Sequence, residues 1–255
     1  MTRRLALVAS WLCAGHAAWL ALFWGLLQVP ESSLWALGLS AAIALLLVAL
    51  GAAIHAGASA AWQADRFAAG LGAGVSRLHA ALAAGLVFGA IWWMTAALMA
   101  WHTGVSGQID AIYIARTGRA GTGWIHAAIF WGVMFVRWSV GLTLAVSLLA
   151  ALVADGTSAS GRAVTRAALS PRHFLPVTFW LVLLVAIPWH LASWRPARVG
   201  VAAEPWLVAA RLAAVALAMS TGWALVLRVG GIGYRRSLQA RPSASARETQ
   251  AAARP

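Results

Sequence analysis

Four residues of this chain have the chemistry to act inside an apolar environment: Arg137, His16, His126 and Arg211. Arg137 stands in "FWGVMFVRWSVGL", Phe130 to Leu142, a run that is otherwise almost wholly apolar. An arginine at the centre of a bilayer costs roughly 2.5–3.5 kcal/mol on insertion scales, so it faces a bundle interior or a watery cavity. Its ordinary partner is a carboxylate. Glu31, Asp65, Asp110, Asp155, Glu204 and Glu248 all fall in connections, at span ends or in the C-terminal segment, so none lies at that depth. Cations without an internal acid suit an anion, such as a lipid phosphate or a small carboxylate, held by a guanidinium fork. The sequence therefore predicts an intramembrane anion pocket centred on Arg137, with His16, His126 and Arg211 as further candidates. A packing role competes with it: a guanidinium can be satisfied by backbone carbonyls and tryptophan faces. Arg211 has its own alternative, reaching outward to Glu204 two turns away.

On a regular helix, at about 100° per residue, His126, Phe130, Gly141 and Leu144 share the Arg137 face. Ser139, Thr143 and Ser147 then lie nearly opposite, as a small-residue stripe suited to close helix contact. Ala81, Gly85 and Gly89 form a second such stripe.

The histidines offer haem or metal ligation instead, since two imidazoles at one depth on neighbouring helices bind iron axially. His79 and His102 are 23 positions apart, roughly 34 Å along a helix, which puts them at opposite boundaries. No cofactor or metal is expected on this reading, and no catalytic motif is visible. The single Cys13 excludes an internal disulfide and reads as a buried thiol.

The elements that must position these residues follow from composition. The chain is 62% hydrophobic and 10% charged, against nearly half and a quarter in soluble domains, which places it in the membrane class. Runs at about 5–28, 34–57, 78–101, 124–153, 172–194 and 205–228 are each long enough to cross the hydrocarbon core as helices. The expected fold is all-α: a polytopic membrane bundle of about six transmembrane helices in residues 1–230, followed by a basic, disordered tail over 231–255. Ser32 and Ser33 can cap the second span, and Ser170-Pro171 and Glu204-Pro205 mark the last two starts. Between spans, 103–123 reads as the longest outer connection, with a short interfacial helix, and "GRAVTRAAL" as a basic helical turn lying on the surface.

The formal charge of +13 comes entirely from arginine and clusters in connections and at the C-terminus, not in a nucleic-acid-binding motif. Arg3, Arg4, Arg66, Arg77, Arg162, Arg166 and the arginines from Arg228 onward outnumber Arg116, Arg119, Arg195 and Arg198 on the other side. That asymmetry puts both termini in the cytoplasm, and Trp35, Trp101, Trp124, Trp189, Trp194 and Trp206 then gather at the outer interface. Heavy alanine use with arginine as the sole base points to a bacterial inner membrane. The expected partners are the lipid bilayer, an anionic lipid or solute, and a second membrane protein. The functional expectation is binding or transport of that anion, with a structural subunit of a membrane complex and a haem or metal redox protein as alternatives.

Overall fold

The computed structural model describes residues 2–30, 33–119, 122–193 and 204–239. Within them every regular element is helical. They are α1 (Thr2–Leu27), α2 (Leu34–Gln63), α3 (Phe67–Val75), α4 (Leu78–Thr117), α5 (Gly123–Met134) and α6 (Gly141–Asp155), then α7 (Gly161–Leu169), α8 (Pro171–Ser193) and α9 (Glu204–Gln239). A π-helical stretch, Phe135–Val140, joins α5 to α6. Five helical units are long and apolar enough to cross a membrane: α1, α2, α4, α5–α6 and α9. The pair α7–α8, bent by 63°, makes a sixth if it counts as one span. This is the architecture of a multi-pass membrane protein. Large side chains such as Trp24, Leu34, Trp35, Leu86, Trp93, Trp131 and Trp206 stand exposed, as lipid-facing residues do.

The first two helices form an antiparallel pair, because partners run in opposite order. Arg4 donates to the Asp65 carbonyl, Trp11 Nε1 to Ile54 at 2.9 Å and Trp19 Nε1 to Leu47 at 3.0 Å. Ser33 caps α2 as expected, its Oγ accepting from the Ala36 amide at 3.2 Å. However, α2 runs on to Gln63, six residues beyond the expected boundary, since the Ala- and Ser-rich 58–62 stretch contains no breaker. The short α3 then folds back along it through glycines: a Cβ at Gly74 would lie 2.4 Å from the Ala56 carbonyl oxygen, and one at Gly70 would lie 2.8 Å from Ala61 Cα. Only hydrogen fits at those positions.

Three other expectations are corrected. The 103–117 stretch is not a connection but the continuation of α4, a helix of 40 residues that spans about 60 Å. Its polar residues do not stop it; Gly118, at φ 64°, does, as a left-handed C-cap. The segment after Gly230 is not a free tail as far as Gln239. It is the last part of α9, with Tyr234 fully buried and its hydroxyl donating to Asp155 at 2.6 Å, while Ser237 Oγ donates to the Ala163 carbonyl at 2.9 Å. Gly230 and Gly233 act there as contact points, not breakers, since Cβ atoms would lie 2.2 Å from Val146 Cγ1 and 2.8 Å from the His173 ring. Residues 240–255 lie outside the described residues. "GRAVTRAAL" is helical, as α7, but docked: Ala163, Val164, Ala167 and Ala168 are buried, and only its arginine side is exposed.

The stripe at Ala81, Gly85 and Gly89 makes no close helix contact at its glycines, where Cβ atoms would have open space around them. Ser139, Thr143 and Ser147 are buried. Cys13 is a free thiol, half-buried where a buried one was expected. Trp35, Trp101, Trp124 and Trp206 are exposed; Trp194 and the Trp189 side chain lie outside the described residues.

Candidate functional site

The open space beside Gly85 belongs to a cavity of about 710 Å³ between α1, α2, α4, α6 and α9. Its walls are apolar, built from residues such as Leu47, Ala84, Phe88, Leu142 and Val146. Its polar groups are His16 and Trp19 of α1, His55 of α2 and Trp223 of α9. Val48, Leu82 and Leu86 also line it, and their exposure (55%, 41% and 75%) puts its mouth on the outer face of the bundle, between α2 and α4. That mouth opens where lipid would be, not toward water.

His16 and His55 meet edge to face, ring centroids 5.4 Å apart, and His55 meets Trp223 likewise at 5.8 Å. His55 Nδ1 lies 2.7 Å from the Gly51 carbonyl oxygen; a carbonyl only accepts, so this nitrogen carries the proton. Neutral His55 therefore keeps a lone pair on Nε2, and neutral His16, like any neutral imidazole, has one acceptor nitrogen. The Trp19 indole N–H is used on Leu47, whereas that of Trp223 is buried without an acceptor.

Of the residues the sequence singled out, only His16 lines this cavity; Arg137, His126 and Arg211 stand outside its wall. Arg137 is 9% exposed, its Nε donating to Thr95 Oγ1 at 2.9 Å and its Cζ lying 4.3 Å from the Trp92 ring centroid. Trp92 is itself braced at right angles by Trp138, with centroids 5.1 Å apart. Face counting held here: Arg137 meets Thr95 and Trp92, Gly141 meets Ile91 and His126 meets His102, all on α4. The Gly141 amide bonds Val136, five residues back, and Ser139 is buried as well.

His126 joins a different group. Its Nε2 lies 2.7 Å from Asp110 Oδ1 and its Nδ1 lies 3.0 Å from His102 Nε2, which fixes the upper part of α4 to the start of α5. With Asp110 accepting from Nε2–H, Nδ1 of neutral His126 is the acceptor and His102 the donor. Both nitrogens of His126 are then spent, so the group is poorly suited to holding a metal, and no metal-binding cluster occurs among the described residues. Asp110, past the part of α4 that the membrane would hold, has its pKa lowered by hydrogen bonds from Thr122 and His126. A depressed carboxylate stabilises above its ordinary value of 3.8 and loses that contribution as pH falls through its folded value. The α4–α5 junction is therefore expected to become sensitive to amide hydrogen exchange around Arg116 and Arg119 on exposure below about pH 4, relative to the intrinsic rates at each pH. Asp110→Asn should show that sensitivity at every pH. Equal protection of the wild type before and after exposure would remove the role given to Asp110.

Arg211 is half-buried, two turns into α9. At the far end of that helix Arg228, Arg235 and Arg236 line a recess of about 290 Å³ with Trp62, whose ring centroid is 5.5 Å from Arg228 Cζ. Sequence reasoning counted these arginines for orientation but missed that α9 carries them onto one recess. It missed His55 as well, two residues from the end of the expected 34–57 span. No family model matches the chain, and no curated protein or solved structure is significantly similar to it.

Proposed function

We propose that this protein binds a lipid-soluble, amphipathic molecule inside its membrane-spanning bundle, in the cavity headed by His16 and His55. The observation that carries the reading is the cavity itself: apolar walls, a mouth on the lipid-facing surface, and polar groups limited to one imidazole pair and two indoles. A volume near 710 Å³ is that of a site for one medium-sized organic ligand. Gly85→Phe tests it, because that position borders the empty space and a ring there fills it. The variant is expected to fold with a melting temperature no lower than wild type, and to lose an organic compound that extracts from the wild type in stoichiometric amount. If both proteins yield the same extract, the cavity is not the binding site.

An anionic lipid is the second reading, and the observation favouring it is the recess of Arg228, Arg235 and Arg236, not Arg137. Three guanidiniums at the end of a spanning helix fit a phosphate headgroup at the membrane surface. The arginine asymmetry supports a bacterial inner-membrane orientation with this recess and both termini in the cytoplasm. With Cys13 replaced, a cysteine at Ser106 should react with an impermeant thiol reagent in intact cells and one at Gln239 should not. The reverse pattern would invert the orientation.

A further inference from the structure

We infer that the ligand of the His16–His55 cavity carries a hydroxyl as its polar head, that it is a lipid-soluble phenol or alcohol and not an acid. This rests on the cavity reading and adds the chemistry of recognition. At His55 the proton sits on Nδ1, facing Gly51, so the remaining ring nitrogen offers a lone pair. Neutral His16, its ring against that of His55, offers a second. The two rings touch, so both acceptors belong to one end of the cavity. Trp223 meets His55 edge to face, but its N–H is enclosed by protein and faces no open space.

The head that satisfies this pair must donate. A hydroxyl does: its proton goes to an imidazole nitrogen. A carboxylate has no proton to give and would set its charge against two lone pairs, with no arginine in the wall to offset it. An ether or a plain ketone has no proton to give either. A haem would need cations for its propionates, and none line the cavity. A buried acceptor left without a donor is penalised, which is why such sites discriminate sharply between a hydroxyl and its methylated analogue.

The experiment uses the purified full chain in nanodiscs and four probes of one size: 4-dodecylphenol, its methyl ether, dodecylbenzene and 4-dodecylbenzoate at pH 8. Equilibrium binding is expected to favour the phenol over the ether and the hydrocarbon by about tenfold, the worth of one good hydrogen bond, with the benzoate weakest. His55→Phe should erase the preference while dodecylbenzene still binds. Should that variant fail to fold, His16→Phe and the probe series on wild type carry the same test. If phenol and ether bind equally in wild type, and Gly85→Phe removes both, the cavity reading stands and the hydroxyl inference is overturned. If no probe binds and Gly85→Phe changes nothing, both fall. A Soret absorption band in the purified protein, lost in His55→Phe, would overturn the inference in favour of haem.

Discussion

Gly74→Val is expected to collapse the folded, detergent-stable yield of this protein, with a loss of about 3 kcal/mol or more. The reason is what a side chain would meet. The atoms nearest to a Cβ at Gly74 are the Ala56 carbonyl oxygen at 2.4 Å, Gly57 Cα at 2.6 Å and the Ala56 carbonyl carbon at 2.7 Å, all of them backbone. A flexible side chain could move aside; a helix backbone cannot, so α3 must leave α2. The control lies on the same short helix. A Cβ at Gly72 would have open space around it, so Gly72→Val bears the same loss of helix propensity without the collision. Thermal melts of the two variants, with tryptic cleavage at Arg66 and Arg77 on either side of α3, read the difference. Equal melting temperatures would show that α3 is not docked this way. The effect reaches the site: His55 and its acceptor Gly51 lie on the stretch of α2 leading to the contact, so loss of α3 should also weaken binding in the cavity.

How much of this was legible in the sequence depended on which force decided each feature. Span cores follow from hydropathy, and the runs starting near residues 34, 171 and 204 matched helix starts because a serine cap and two prolines enforce them locally. Helix ends did not. The 103–123 stretch read as a connection, yet a helix that has left the hydrocarbon tolerates Gly104, Gly107 and polar side chains, and only the left-handed Gly118 stops it. Gly230 and Gly233 stand where the basic tail over 231–255 was expected to begin. Their role is contact with α6 and α8, which depends on partners far away in the chain.

The site was harder still. Arg137 was conspicuous by charge alone, but its Thr95 and Trp92 partners required knowing which face of α4 it meets, which a wheel of its own helix does not supply. His55 was overlooked because its depth was reckoned from a span ending at residue 57; α2 continues to Gln63 and brings it level with His16. The stagger of two helices across a turn is not written in hydropathy. The small residues at 81 and 85 did carry a signal, but of absent volume: they border the cavity instead of a neighbouring helix.

Arg137→Leu is expected to leave the protein as stable as wild type or more so, whereas Arg137→Lys is expected to cost about 1–3 kcal/mol. The inversion of the usual conservative order follows from what each change leaves behind. Thr95 Oγ1 accepts from Arg137 but donates to the carbonyls of Ile91 and Trp92, at 2.8 and 2.9 Å, so removing the guanidinium leaves the hydroxyl satisfied. Leucine also removes the insertion cost of a charge near the middle of a spanning helix and still covers Trp92. Lysine keeps that cost. Its ammonium lacks the flat face that lies on Trp92 and is a more compact, more strongly hydrated charge to bury. Thr95→Val separates the terms further. In the wild-type background it strips the buried guanidinium of its Nε acceptor and should destabilise; in Arg137→Leu it should cost almost nothing, so the double-mutant cycle yields a coupling of about 1 kcal/mol or more. Melting temperatures of the variants measure it, repeated with an anionic lipid panel. Stabilisation by an anion that is present in wild type and lost in Arg137→Leu would reverse this conclusion and return Arg137 to the centre of an anion pocket. A leucine variant that melts at or above wild type, with or without anions, makes the arginine a brace between α4 and the π-helical turn, and leaves recognition to the histidines across the bundle.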